Sequence, residues 1–227
     1  MSGNFSGSVV VVTGAAGALG RAVVEHFAAC GATVAQLDVV SIDNAHFSET
    51  CDLTDPGSCR QAVTLIIETL GRIDVLANIA GGFTMGEAVH ETSEETWDFM
   101  MGLNARSVLN MARAVVPAML QQGQGKIVNV GAGAGLAGIA NMGAYSASKS
   151  VVIRLTEAMS AELKESGINV NCVLPSIIDT ERNRADMPDA DFDRWVKPSA
   201  MAEVIGFLAS LAADPIHGAA VPVSGLS

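Results

Sequence analysis

Short apolar runs alternate with stretches in which apolar residues recur every three or four positions, from one end of this 227-residue chain to the other. Ser8–Val12 reads as a buried strand because its apolar residues are consecutive rather than alternating. Gly17–Cys30 predicts a helix, with Leu19, Val23, Phe27 and Ala28 on one face. Thr33–Asp38 is a second strand, a third ends at Cys51-Asp52, and a helix follows over Pro56–Leu70. Ile73–Ile79 is a fourth strand. Glu94–Gln122 is largely helical, with a bend expected near Gly102 or Pro117. Lys126–Val130 and Ile168–Leu174 are strands separated by a long helix over Gly143–Ser166. A helix over Ser199–Ala213 and a strand over Ala219–Val223 close the pattern.

Seven strands interleaved with helices imply βαβ units with right-handed crossovers. The expected class is α/β: one doubly wound parallel sheet of seven strands with helices on both faces, in a single domain over 1–227. The long irregular stretch, Pro175 to Lys197, carries both signs of charge and follows the C-terminal end of a strand. Ligands bind at that edge of such sheets, so 175–197 is a candidate lid.

Composition suits that class. Apolar residues make up 49% of the chain and charged residues 16%, which disfavours disorder. No apolar run reaches the ~18 residues of a membrane helix, and no basic leader opens the chain, so a cytoplasmic protein is expected. A net charge of −11 argues against nucleic acid or an anionic membrane as partner. Cys30, Cys51, Cys59 and Cys172 show no paired or metal-ligand spacing, and the four histidines are scattered; free thiols and no metal are expected.

Chemistry concentrates in three places. Thr13-Gly14-Ala15-Ala16-Gly17-Ala18-Leu19-Gly20 joins the first strand to the first helix. Its glycines permit a tight turn and close approach of a pyrophosphate to a helix N-terminus, as in a Rossmann-type site. Gly14, Ala16, Gly17, Ala18, Leu19 and Gly20 are therefore candidate cofactor contacts. Asp38 ends the second strand, where an acid accepts from a ribose 2′-hydroxyl and repels a 2′-phosphate. No Arg or Lys stands at 39–41, and Ala15 and Ala16 leave the turn itself without one, so NAD(H) is predicted over NADP(H). Asp52 and Leu53 are expected beside the adenine. Asn78-Ile79-Ala80-Gly81 ends the fourth strand with small residues, placing Asn78, Ala80 and Gly81 near the cofactor.

The third place is Tyr145-Ser146-Ala147-Ser148-Lys149, which carries the only tyrosine in the chain. Positions i and i+4 share a helix face. An ammonium near a phenol favours the phenolate and draws its pKa down from about 10, so the pair is a candidate proton donor.

Taken in order, the glycine turn, Asn78–Gly81, Asn104, the Tyr145/Lys149 pair and the turn Pro175 to Thr180 resemble the short-chain dehydrogenase/reductase family over essentially the whole chain. The resemblance implies Tyr145 as general acid and Lys149 as a ligand of the nicotinamide ribose that lowers the phenol pKa. It implies Asn104 as the residue fixing the helix and a proton-relaying water, and Pro175 and Ile178 as further cofactor contacts. It also implies a homodimer or homotetramer built on the helices carrying Asn104 and Tyr145. The chain departs from the family at Ala132, where a serine normally meets the substrate carbonyl; Gly131 to Gly135 hold no hydroxyl at all. Ser176 replaces a glycine and Ile79 an asparagine.

Within the family the chain is most similar to the dihydropteridine reductase branch, through Asp38-Val39-Val40, Ala80-Gly81-Gly82-Phe83, Ala132–Gly138 and the lid from Leu174 to Trp195. That likeness implies NADH-dependent reduction of a quinonoid dihydropterin. Phe83, Ala132 and Trp195 are the candidate substrate residues, the two aromatics offering faces to a flat heterocycle. Two alternatives stand beside it: an NAD-dependent alcohol or ketone oxidoreductase in which Thr84, Ser146 or Ser176 supplies the missing hydroxyl, and a dinucleotide sensor without turnover.

Overall fold

The computed structural model describes residues 4–227. Seven parallel strands form one sheet: β1 (Val9–Thr13), β2 (Thr33–Asp38), β3 (Phe47–Thr50), β4 (Val75–Asn78), β5 (Gly125–Val130), β6 (Ile168–Pro175) and β7 (Ala220–Val223). Their spatial order is β3-β2-β1-β4-β5-β6-β7. The direction of winding reverses between β1 and β4, and that switch point opens a crevice at the strands' C-terminal ends. Among the described residues there are seven α-helices: α1 (Ala18–Ala29), α2 (Pro56–Leu70), α3 (Glu94–Met100), α4 (Ser107–Gln122), α5 (Gly143–Leu163), α6 (Glu181–Asp186) and α7 (Pro198–Ala209). One core lies on each face. Phe5, Val10, Val12, Val23, Phe27 and Ile205 pack on one side; Val9, Val11, Leu37, Ile66, Met111 and Val115 pack on the other.

The elements follow from local chemistry. Asp55 caps α2 by accepting from the Gly57 and Ser58 amides, Pro56 fills the first helical position, and Gly71 ends the helix in the left-handed region. The bend expected near Gly102 is a π-helical stretch, Met101–Arg106, between α3 and α4. Pro117 lies inside α4 without ending it.

The lid is less irregular than its composition predicts. It contains α6, whose capping residue Thr180 accepts from the Asn183 amide, and a 3-10 turn at Phe192–Arg194. Its two ends are joined by a parallel bridge between Ile178 and Val196. The Asp179 carboxylate takes both arms of the Arg184 guanidinium at 2.5 and 2.8 Å. That guanidinium also lies 4.7 Å from the centre of the Phe192 ring.

Candidate active site

Thr13 ends β1 with its hydroxyl oxygen accepting from the Ile79 and Ala80 amides at 3.0 and 3.2 Å. This ties the two strand ends that flank the switch point. Gly14 follows at φ +63, and a Cβ there would fall 2.8 Å from the Ala80 Cα. A Cβ on Gly20 would fall 2.0 Å from the Gly14 carbonyl oxygen. The turn therefore closes on itself only with glycine at both positions. It leaves Gly17 at the head of α1 with no side chain capping the helix. The cradle fits a dinucleotide pyrophosphate, because the uncapped first amides and the positive end of a 12-residue helix meet there.

Asp38 stands beside this turn. One carboxylate oxygen accepts from the Ala16 amide at 2.9 Å and the other from the Val40 amide at 3.3 Å. The acid at the end of β2 thus also shapes the phosphate turn. Asp52 is exposed and accepts from the Thr54 hydroxyl and amide, which hold its carboxyl below the usual carboxylate range. Leu53 is 5% exposed and belongs to the core with Cys51 and Cys59, so its side chain is not turned to the crevice.

The Asn78 side chain also faces inward. Its amide donates to the Asn129 carbonyl oxygen at 2.8 Å, Asn129 donates to the Thr156 hydroxyl at 2.9 Å, and Thr156 donates to the Val152 carbonyl at 2.8 Å. This buried chain fastens the switch-point strands to the middle of α5. The sequence reading missed Asn129 and Thr156; the available signal was a lone asparagine inside the apolar run Ile127-Val128-Asn129-Val130.

Asn104 lies within the π stretch and is buried. It accepts from the Gly82 amide at 2.9 Å and donates to the Gly82 carbonyl at 3.0 Å and to the Ser148 hydroxyl at 2.9 Å. Ser148 in turn donates to the Tyr145 carbonyl at 2.8 Å. Both amide hydrogens of Asn104 are thereby committed, so the side chain joins Gly82 to the first turns of α5 and has no donor left for a water. Ser148 is a third residue missed in the sequence.

Tyr145 and Lys149 share one face of α5, as their spacing requires. The Lys149 ammonium donates to the Val130 carbonyl at 2.9 Å, not to the phenol. Burial lowers its pKa to about 8, with the Cys172 thiol opposing. The Tyr145 ring meets Phe83 edge to face, with centroids 4.9 Å apart. Burial pushes its phenol up to about 12. The expected lowering toward neutrality is not found: desolvation acts on a phenol whose neighbouring ammonium is turned toward β5. A Cβ on Gly81 would lie 2.9 Å from the Asn104 carbonyl oxygen and 3.1 Å from the Lys149 nitrogen, so the small residue keeps this corner open.

Ala132 is buried and presents no donor. Of the hydroxyls weighed as replacements, Ser176 donates to the Ser224 carbonyl at 2.8 Å and is turned away. Ser146 is buried without a hydrogen-bond partner. Thr84 lines a small cavity beside the start of α5. Phe83 is 43% exposed and keeps surface available. Trp195 corrects its expectation: it is 6% exposed and packs on Phe192 with centroids 4.8 Å apart, as part of the lid's own core. Pro175 ends β6 and Ile178 sits in the bridge at the base of the lid.

Residues 8–191 match the family model for short chain dehydrogenases. The chain is 31% identical to the 3-oxoacyl-(acyl-carrier-protein) reductase FabG of Vibrio cholerae, over 98% of each. It is 32% identical to the D-threitol dehydrogenase of Mycolicibacterium smegmatis, over 97% of this chain and 93% of the relative. Among solved structures, the carveol dehydrogenase of Mycobacterium avium, crystallised in complex with NAD, superposes with a TM-score of 0.88 at 27% identity, over 98% of each chain. The narrower likeness to the dihydropteridine reductase branch has no counterpart among these three.

Proposed function

The chain belongs to the short-chain dehydrogenase family, and from that premise we propose that it reduces a planar, electron-poor heterocycle of the quinonoid dihydropterin type with NADH. Bound nicotinamide dinucleotide supplies the hydride. The glycine turn would hold its pyrophosphate, Asp38 the adenosine ribose and Lys149 the nicotinamide ribose. Tyr145, protonated throughout the neutral range, gives a proton to the acceptor. Ser148 and Asn104 hold the turn of α5 that carries it.

The observation that carries the reading is Ala132. Reduction of a simple ketone places charge on one oxygen, and losing a donor aimed at that oxygen typically costs ~10²–10³ in rate. A conjugated ring spreads the incoming electrons over several atoms and needs that donor less. The partly open face of Phe83 beside Tyr145 suits a flat acceptor. A second reading keeps a hydroxyl in play. The relatives are named for an oxoacyl group and a polyol, and Thr84, which lines the cavity at the start of α5, is the hydroxyl that a carbonyl substrate could recruit, Ser146 being buried.

The test is NADH consumption with freshly generated quinonoid dihydropterin, run beside a panel of ketones and polyols. Turnover on the pterin with little on ketones is expected. Ketone reduction alone, abolished by Thr84→Val, would transfer the assignment to the second reading. In the same assay NADH is expected to outperform NADPH at least tenfold in kcat/KM, and Asp38→Ser to narrow that ratio.

A further inference from the structure

At the start of α5 the structure holds a cavity of about 60 Å³, lined by Thr84, Glu87, Thr92, Thr96, Asn141 and Met142 among others. Its walls are fixed. The Gly86 amide donates to the Asn141 carbonyl at 2.9 Å, and Asn141 adopts φ +60 to offer it. Val89 packs so closely on the first turn of α5 that a Cβ on Gly143 would fall 2.8 Å from its methyl carbon. Two residues of its lining neighbour the Phe83/Tyr145 pair in sequence: Ala144 precedes Tyr145, and Thr84 follows Phe83, whose ring meets that of Tyr145.

Glu87 is the one ionisable side chain in the lining. One carboxylate oxygen accepts from the Ser93 amide at 3.2 Å and the other from the Thr96 hydroxyl at 3.3 Å. A carboxylate has about four lone-pair positions, and both of these bonds are long. Among the described residues Glu87 forms no ion pair. Glu87 is half-buried, so its remaining lone-pair positions are open to water, and N–H donors of a ligand can replace that water with charge-assisted hydrogen bonds.

We propose that this cavity receives the hydrogen-bond-donating end of the substrate, an amine, amidine or amino-pyrimidine edge, with Glu87 accepting its N–H groups and so selecting among acceptors. The space is open on one side and holds more than one water, so it admits the donor end of a substrate while the rest of the molecule stays outside it. The inference rests on Tyr145 being the acid of the proposed reaction, and it narrows the substrate class within that reading.

The probes are isocytosine, which presents an exocyclic amine beside a ring nitrogen, and uracil, which has a carbonyl in place of that amine. Titrated into NADH-loaded protein, isocytosine is expected to bind at least tenfold more tightly than uracil. Glu87→Gln should reduce that ratio below twofold while leaving the NADH dissociation constant unchanged. An unaltered ratio in Glu87→Gln, or no binding of isocytosine to the wild-type protein, would overturn the proposal. Should Glu87→Gln fail to bind NADH, Thr96→Val decides: it keeps the carboxylate and removes one of its donors, so discrimination must survive, and its loss would assign recognition to the threonine instead. Turnover of quinonoid dihydropterin separates the two levels. Wild-type turnover with an unchanged KM in Glu87→Gln sinks this inference alone, whereas no wild-type turnover sinks the function it rests on.

Discussion

Tyr145 and Lys149 lie one helical turn apart, yet burial moves their protons in opposite senses, because it disfavours whichever form is charged. The folded pKa of Lys149 lies near 8, below its ordinary 10.5, so between those values the unfolded chain binds more protons and stability rises with pH. The folded pKa of Tyr145 lies near 12, above its ordinary 10, so between those values the unfolded chain binds fewer protons and stability falls. The contribution of these two groups to stability is therefore greatest near pH 10. A displacement from 10.5 to about 8 corresponds to roughly 3 kcal/mol at Lys149. Lys149→Met should therefore unfold at higher denaturant than wild type at pH 7, with the gap closing as pH rises from about 8 to 10.5; a gap independent of pH would refute this. Tyr145→Phe is expected to bind NADH normally and to lose 10²–10⁴-fold in kcat, and full activity would remove Tyr145 from proton transfer. The spacing of this pair was legible in the sequence because it is local. Its electrostatics were not, since they depend on the Val130 carbonyl 19 positions away in the chain. The Asn104–Ser148 and Asn78–Asn129 bonds span 44 and 51 positions and were hidden for the same reason.

At the scale of elements, the positions of strands and helices were readable wherever punctuation and periodicity agreed, as at Asp55-Pro56 and Gly71 around α2. The π stretch was foreseen only as a bend, because its widened turn answers to a tertiary demand, the docking of Asn104 on Gly82 and Ser148. The lid misled in the other direction. Its mixed charge suggested an irregular loop, but Asp179, Arg184, Phe192 and Trp195 stack into a small core of their own, which removes Trp195 from the substrate surface. The close contact between Gly135 and α5 was invisible in a run of alanines and glycines. A Cβ at Gly135 would fall 2.8 Å from the Lys149 carbonyl carbon, which is backbone and has nowhere to retreat. Gly135→Ala is thus expected to push α5 outward, lowering stability by about 1–3 kcal/mol and kcat more than tenfold. Unchanged melting and turnover would show that the helix yields without carrying Tyr145 off its position.

For the whole molecule the question is what covers the apolar surface that the two cores leave outside. Trp97 and Phe99 on α3 are 43% and 51% exposed, and Leu109 on α4 is 36% exposed. These residues surround the π stretch that positions Asn104, on the helices where a homo-oligomer was expected from the sequence. Isolated exposed apolar residues are ordinary, but two large aromatics within three positions of one short helix are costly to leave in water. A net charge of −11 favours solubility, so a second copy must gain enough apolar burial to outweigh like-charge repulsion. Light scattering is therefore expected to give the mass of a dimer or tetramer, with association tightening as salt screens the repulsion. Trp97→Glu with Phe99→Glu should shift the population toward monomer while the glycine turn still binds NADH. A wild-type protein that remains monomeric at high salt would mean that these aromatics serve the single chain alone. The π stretch would then owe its shape to Gly82 and Ser148 without help from a partner.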